Sequence, residues 1–420
     1  MLRLIQFFVN FALLEERRCK VSVVSIVKVQ NEDVERAVRK AVSLSHCFES
    51  VEWEGSMVLI KPNVAIPAKS GSGTVTDARV IEAVTKLVSE RNPRSVVIGE
   101  GSSVGYDFPD RLDSMHCMEV AGVLEVAKRC GVKIVDLNRD EQIEVKVPDA
   151  FVMDTFAIAK TAWEADVVLS LPVIKTHVRT GITCGLKNMK GVLPGEEKKR
   201  THRCGLDRGI VDLNRGKKPT ISIVDGIIGS QGTNSGEADR VPLDLILAGN
   251  DVVAVDSVCA TVAGFDAREI LHVQLAAEAK LGIADLDLIE VRGEKIEAVR
   301  RPFIPYLQAA QHLYGGVSII EKNTCTGCMG ELVSTFIYLK RAGFHDRLPN
   351  LTVIMGTPEK IPSLGQTPVV VGRCAREYRH LGVFVPGCPP HGIKITDGAC
   401  EALKIDQKIV HRSIVELHSL

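Results

Sequence analysis

From Val21 onward, short apolar runs rich in β-branched residues alternate with amphipathic stretches, and that alternation restricts the chain to folds in which strands and helices take turns. Strands are expected over residues 21–29, 57–60, 95–98, 132–137, 167–171, 221–224, 243–247 and 286–291. Helices fit between several of them. One starts at Asp77, a cap or first-turn acid, with Ala78, Val80, Ile81, Val84 and Leu87 on one apolar face. Others run from about 254 to 263 and from 268 to 280. The segment 294–315 holds Arg300, Arg301, Pro302 and Pro305 without periodicity, and a second alternating unit follows it. That unit has strands over 317–321, 351–355, 369–372 and 382–385 and a helix over 329–342. At 420 residues the chain exceeds what one core of roughly 250–300 residues supports. The expected fold class is α/β: a large domain with a mixed or mostly parallel sheet (21–295), a linker (296–315) and a smaller α/β domain (316–420).

Charge narrows the function classes. Fifty-two basic residues balance 52 acidic ones, which argues against a general nucleic-acid binder. The apolar stretch 1–14 is broken by Arg3, Gln6 and Asn10, too short to span a bilayer and without a signal-peptide cleavage pattern; it reads as an extra helix or an upstream start. Twelve cysteines without a regular framework suit a reducing cytoplasm.

Most cysteines are isolated, but four near the end are spaced as a site. Cys325-x2-Cys328 is followed by 45 residues, then Cys374, 13 more residues and Cys388. Each group falls just after an expected strand, where ligands collect in open α/β sheets, so distant thiolates can converge. Four thiolates suit an iron-sulfur cluster or a structural zinc ion. Gly327, Gly372 and Gly387 permit close backbone approach, and Pro389 and Pro390 stiffen the last loop. Cys400, inside an expected helix, is assigned to packing, and His391 to a supporting position.

The strings Cys-Thr-Gly-Cys (325–328), Gly-Arg-Cys-Ala (372–375) and Val-Pro-Gly-Cys-Pro-Pro (385–390) resemble the proximal-cluster motifs of nickel-iron hydrogenase small subunits. The last two also resemble the related subunit of respiratory complex I. The resemblance implies a flavodoxin-like domain, a [4Fe-4S] cluster on Cys325, Cys328, Cys374 and Cys388, and electron exchange with a partner protein. A second resemblance rests on Lys61-Pro-Asn63, Leu171-Pro-Val-Ile-Lys175-Thr-His177, Gly185-Leu-Lys187-Asn188-Met-Lys190-Gly191, Asp225-Gly226 and Ala254-Val-Asp256. Together these look like the family called domain of unknown function 362, over about residues 21–295, which implies no general reaction. Many members carry a ferredoxin-like cysteine insertion that this chain lacks.

Between Lys175 and Arg208 nine Lys or Arg residues face three acids, a surplus of six in a chain of zero net charge. Lys175, His177, Lys187 and Lys190 are spaced over what reads as a glycine-rich loop, where Gly181, Gly185 and Gly191 would let amides point at a phosphate or carboxylate. Lys61 and Asn63, Glu100, and Asp225 follow three other strands and could complete the pocket. Lys175, His177, Glu100 and Asp225 are the candidate catalytic residues; Lys61, Asn63, Lys187, Asn188 and Lys190 are the candidates for holding an anionic substrate or cofactor. A solvated basic loop is the plain alternative, as are turn and capping roles for Asp225 and Asn63. Gly99, Gly101 and Gly105 do not match the dinucleotide spacing. His177, Cys184, His202 and Cys204 are zinc-type ligands at irregular spacing.

Three function classes follow. The first is an iron-sulfur oxidoreductase with an anion site in its large domain. The second is a non-catalytic electron-transfer or assembly subunit that docks on a larger enzyme. The third is a zinc-stabilised binding protein.

Overall fold

The computed structural model describes residues 22–103, 113–234, 237–310, 316–324 and 326–419. The expected N-terminal helix, Gly105 and Cys325 lie outside the described residues.

Along the first half of the chain, apolar side chains alternate between two faces with the period of a strand. In β2 (Met57–Pro62), Val58 and Ile60 enter one core and Leu59 the opposite one; in β7 (Val167–Leu171), Val167 and Leu169 part from Val168 in the same way. A sheet with two buried faces needs helices on both, and it has them. Val34–Ser45, Ala78–Ser89 and Val123–Cys130 cover one face, while Leu206–Gly216, Val252–Val262 and Leu271–Glu278 cover the other.

The large sheet has ten strands in the order β12-β1-β11-β10-β7-β2-β3-β4, with β8 and β9 attached beside β10. Here β1 is Ser22–Lys28, β3 Ser95–Glu100, β4 Lys133–Asp136, β8 Val173–His177, β9 Gly181–Thr183, β10 Ile221–Ser230, β11 Arg240–Gly249 and β12 Ile289–Gly293. The pairings β4–β3–β2–β7–β10 are all parallel, and β11 runs antiparallel to both β10 and β1. The carboxyl ends of β2, β3 and β7 therefore share one edge. Strand β10 continues past the point where β7 stops, and beyond Pro172 the chain pairs again with its far half as β8.

The segment 175–208 is not a loop. It forms β8, the turn 178–180, β9 and the helices Gly185–Asn188, Gly195–Cys204 and the start of Leu206–Gly216. Local composition hid these elements because they are capped from elsewhere: Asp256, in helix Val252–Val262, accepts the amides of Gly185 (2.7 Å) and Leu186 (3.0 Å). The hairpin β5 (Gln142–Lys146) and β6 (Thr155–Ala159) was also not foreseen. The carboxylate of Asp212, fully buried, accepts the amides of Phe151, Val152 and Met153 beneath it at 2.7–2.9 Å.

The expected linker is docked rather than free over its first part. Val299 and Phe303 are buried in the large domain's core, and the amides of Arg301 and Phe303 donate to the carbonyls of Val262 and Ala263 at 2.8 Å. This part is a one-turn helix, Ile296–Val299, followed by chain that lies along the surface, too short for any period to show in the sequence.

The second sheet is wholly parallel, in the order β13 (Ser318–Lys322), β14 (Thr352–Gly356), β15 (Val369–Val371) and β16 (Val383–Val385). Helices Thr326–Arg341, Gly392–Leu403 and Gln407–Ser419 pack on it, and Cys400 lies fully buried among them as expected.

The two domains touch through the turn 178–180. Val178 packs on the smaller domain's core, and the backbone of Arg179 lies against Gly330, where an added Cβ would stand 2.3 Å from the Arg179 Cα. The Arg179 guanidinium pairs with Glu331 at 3.5 Å, and both are largely buried. Gly330→Ala is expected to loosen this seat at a cost of roughly 1–3 kcal/mol of overpacking. Hydrogen exchange at residues 177–183 should then quicken while exchange in β2 and β3 stays as in the parent protein.

Candidate functional site

A cavity of about 290 Å³ opens at the shared carboxyl edge. Its lining includes Asn63, Glu100, Lys175, His177, Lys187, Asn188 and Lys190, so seven of the nine residues singled out from sequence meet there. Lys61 stands directly behind it. Asp225 is placed elsewhere: its carboxylate accepts the amides of Asp77 (2.7 Å) and Ile227 (3.0 Å), bracing the start of helix Ala78–Ser89. Burial pushes the Asp225 carboxyl up to about 7, opposed by those two amides. It is a scaffold residue that reads in sequence like a rim acid because it, too, lies on a strand beside this edge.

The lysines divide by the number of acceptors each one meets. Lys61, fully buried, donates to Glu100 Oε2 (2.8 Å), the Pro62 carbonyl (2.9 Å) and Asn188 Oδ1 (3.1 Å). Lys198 donates to the carbonyls of Gly101 (3.0 Å) and Ser102 (2.9 Å) and to Asn138 Oδ1. Three acceptors match the three protons of an ammonium, so both lysines are structural clamps. Glycine is needed where they sit: a Cβ on Gly191 would overlap the Glu100 carboxylate and stand 2.6 Å from Lys61 Nζ, and one on Gly101 would stand 2.7 Å from Lys198 Nζ. The glycines thus make room for buried charges, and the Gly185 amide serves Asp256 rather than a ligand.

Lys187 and His202 make no hydrogen bond among the described residues, and Lys190 reaches the Lys198 carbonyl only at 3.5 Å. Burial pulls Lys187 down to about 8 and Lys190 further below its ordinary value; for Lys190 the neighbouring Lys187 and Lys198 cations add to it. His177 and His202 are likewise held well below the ordinary imidazole range, by burial first and then by surrounding cations. His177 Nδ1 faces the amides of Arg179 (3.1 Å) and Thr180 (3.2 Å), which fixes the ring proton of the neutral form on Nε2. The one carboxylate in the lining, Glu100, is already engaged by Lys61 and by the amides of Val64 and Gly101. The pocket presents cations and N–H donors without free countercharge, the arrangement that recognises an anion.

Sequence reasoning missed Lys198, which lies inside the basic segment, and the lining residues Thr74, Ser103, His202 and Asn234 as site residues. By residue type, His177, Cys184, His202 and Cys204 form a zinc-type group, of which only the two histidines line the pocket. That grouping does not assemble: Cys184 is in the apolar core and Cys204 is exposed.

In the smaller domain, Cys374 and Cys388 follow β15 and β16 at one edge of a parallel sheet, and Cys328 opens the helix after β13. Gly372, in a left-handed conformation (φ 90°), leaves room for Cys328: a Cβ there would stand 3.1 Å from Cys328 Sγ and 3.9 Å from the Gly387 carbonyl. The loops that carry Cys374 and Cys388 therefore meet the start of the Cys328 helix. Among the described residues no group of three or more His, Cys, Asp or Glu side chains is arranged to hold a single metal ion; Cys325 is outside them. His391 Nδ1 accepts the Ile393 amide at 3.2 Å and caps helix Gly392–Leu403. No described helix is long and apolar enough to cross a membrane.

Fold and pocket define an α/β protein with a buried cationic site at a strand-end edge. Residues 58–261 match the model of the family described as domain of unknown function (DUF362), so this part of the chain is a DUF362 domain, narrower than the 21–295 expected. Over 235 residues, 54% of this chain and 69% of the relative, the sequence is 28% identical to the thylakoid-associated protein sll1697 of Synechocystis sp.. The lactate racemase apoprotein from Thermoanaerobacterium thermosaccharolyticum matches with a TM-score of 0.38 and 13% identity, over 58% of this chain and 57% of that one.

Two outcomes test the assignment of roles. Asp225→Ala should cost about 1–3 kcal/mol of stability by orphaning a buried amide, yet alter affinity for inorganic phosphate less than Lys187→Met does in calorimetry. Because a bound anion restores Lys187 from about 8 toward its ordinary 10.5, phosphate binding near pH 9 should take up protons. The binding enthalpy should then vary with the buffer's ionisation enthalpy, and less so in Lys187→Met.

Proposed function

We propose that this protein is an iron-sulfur redox protein whose large domain binds a small, multiply charged anion next to a C-terminal [4Fe-4S] centre. The carrying observation is the seat between domains. His177 lines the pocket, Arg179 two residues on rests against Gly330, and Cys328 is two residues before Gly330. With at most ~3.8 Å per residue, the Cα atoms of His177 and Cys328 are within roughly 19 Å.

The residues at the sheet edge suit the cluster in kind and origin. Cys328, Cys374 and Cys388 would hold it, with Cys325 as the fourth thiolate by sequence, and the Gly372 backbone leaves the space beside Cys328 that a side chain would fill. Bound there, such a cluster donates or accepts one electron at a time. The chain's own part is distinct. Lys187 and Lys190 attract and orient the anion, His177 offers its Nε2–H, and the enclosing walls limit water. Glu331 ties both sites, since one carboxylate oxygen meets Arg179 and the other accepts the Gly392 amide (2.7 Å) at the end of the Cys388 loop. Thiolates in this number suit a reducing compartment, which supports a cytoplasmic location and a small anionic substrate or cofactor as the partner.

Protein purified without oxygen should contain about four iron and four sulfide per chain, with broad thiolate-to-iron absorbance. Cys388→Ser should remove that absorbance, whereas Cys400→Ser should keep it because Cys400 is a core thiol that burial pushes up to about 11. Zinc alone, at one equivalent, would replace the redox reading with a zinc-stabilised binding protein.

A further inference from the structure

We propose that Lys175 is a nucleophilic amine that condenses with the carbonyl carbon of an anionic aldehyde or ketone bound in the pocket. This rests on the anion-binding reading of the same cavity and names its ligand class: a small oxo compound carrying carboxylate or phosphate.

The argument is a count of acceptors. Lys61 and Lys198 each meet three, as an ammonium requires. Lys175 meets two, Asn63 Oδ1 at 2.7 Å and the Thr74 carbonyl at 2.5 Å. The orientation of Asn63 is fixed independently. Asn188 Nδ2 faces the Lys61 carbonyl (3.3 Å), which can only accept, and Lys61 Nζ donates to Asn188 Oδ1 (3.1 Å), so Asn188 Oδ1 is the acceptor that takes Asn63 Nδ2 (3.0 Å), which leaves Asn63 Oδ1 toward Lys175. A neutral amine has two N–H groups and one lone pair. Both N–H groups are engaged, and the lone pair is the position on nitrogen without a protein partner among the described residues.

The surroundings favour the neutral form. Burial pulls Lys175 down to about 7, Lys187 and Lys61 push the same way, and Glu100 opposes them. Facing it are Lys61 from β2 and Asn63 just after it, Glu100 from β3, Lys187 and Asn188 from helix Gly185–Asn188, and Thr74 from the segment before helix Ala78–Ser89. His177 is two residues along β8 and so lies on the same face of the strand. Desolvation and neighbouring cations are the usual means of activating a lysine nucleophile.

The step balances without a further reactant. The Lys175 nitrogen attacks the carbonyl carbon, the C–N bond forms and the carbonyl oxygen takes up a proton. Loss of water then leaves a C=N bond, the amine having given up two protons to the departing oxygen overall. His177 Nε2–H is placed to supply a proton to that oxygen, while Lys187 and Lys190 hold the anionic end.

The test traps the imine on the intact protein with cyanoborohydride in the presence of pyruvate, 2-oxoglutarate or glyceraldehyde 3-phosphate, with peptide mass spectrometry to locate it. The neutral fraction of Lys175 near pH 7 exceeds that of an ordinary lysine on the order of 10³-fold, so at least one compound should modify Lys175 at least about tenfold faster than any other lysine. Its rate should rise through pH 7, and malonate, which has no reactive ketone or aldehyde, should slow it. Lys175→Met should lack the adduct; the pH profile of the unmodified chain keeps the test decisive if that variant misfolds. Labelling spread over exposed lysines, or none at Lys175 with all three compounds, overturns the proposal. Calorimetry with malonate or phosphate separates the two readings: binding without trapping sinks the amine alone, and neither binding nor trapping sinks the anion pocket as well.

Discussion

The buried pair of Lys61 and Glu100 is the constraint on which the rest of the site depends. The pair joins the ends of β2 and β3, and each partner is almost without solvent contact. Charges in such a place are tolerated only if every proton and lone pair is met, because desolvation costs several kcal/mol per ion. Here the remaining partners are the Pro62 carbonyl, Asn188 and the amides of Val64 and Gly101. Satisfying the pair therefore draws the loop after β2, the loop after β3 and the helix Gly185–Asn188 to one point. Gly191 is the consequence, since no other residue lets the chain pass over the pair.

Around that point the hydrogen bonds converge: Asn188 Oδ1 accepts from both Lys61 and Asn63, and Asn63 Oδ1 in turn accepts from Lys175. Each side chain's orientation is set by the next, which rigidifies the floor of the pocket. The other lining groups, Lys187, Lys190, His177 and His202, are cationic or polar, and the one carboxylate that lines the pocket with them, Glu100, is already engaged. The same wall reaches the second domain through Arg179 and Glu331, so the pocket and the Cys388 loop share a support.

The strands were largely legible in sequence because a two-faced buried sheet leaves continuous β-branched runs, as at 57–60, 95–98 and 167–171. Asp77 was legible as a cap since its carboxylate serves its own helix. The residues 175–208 were not legible as strand and helix, for their caps come from Asp256 and their pairing partner is the far half of β10. Asp225 misled for the same reason: a rim acid and a buried brace have the same local sequence, and the difference is the amide of Asp77 that it meets.

By itself the sequence determined the α/β class, with the strands of a large sheet ahead of those of a smaller one, the positions at or after strand ends of Lys61, Asn63, Glu100, Lys175, His177, Lys187, Asn188 and Lys190, and the spacing of the four cysteines. These are properties of residue type and periodicity, which local physics fixes. The tertiary structure decided which lysines are clamps and which are left short of acceptors in the pocket lining, because that depends on how many acceptors surround each nitrogen. It also brought the His177 turn against the helix that begins at the cysteine site. Neither is encoded at any single position, since both arise from segments more than a hundred residues apart closing around one buried charge and one glycine contact.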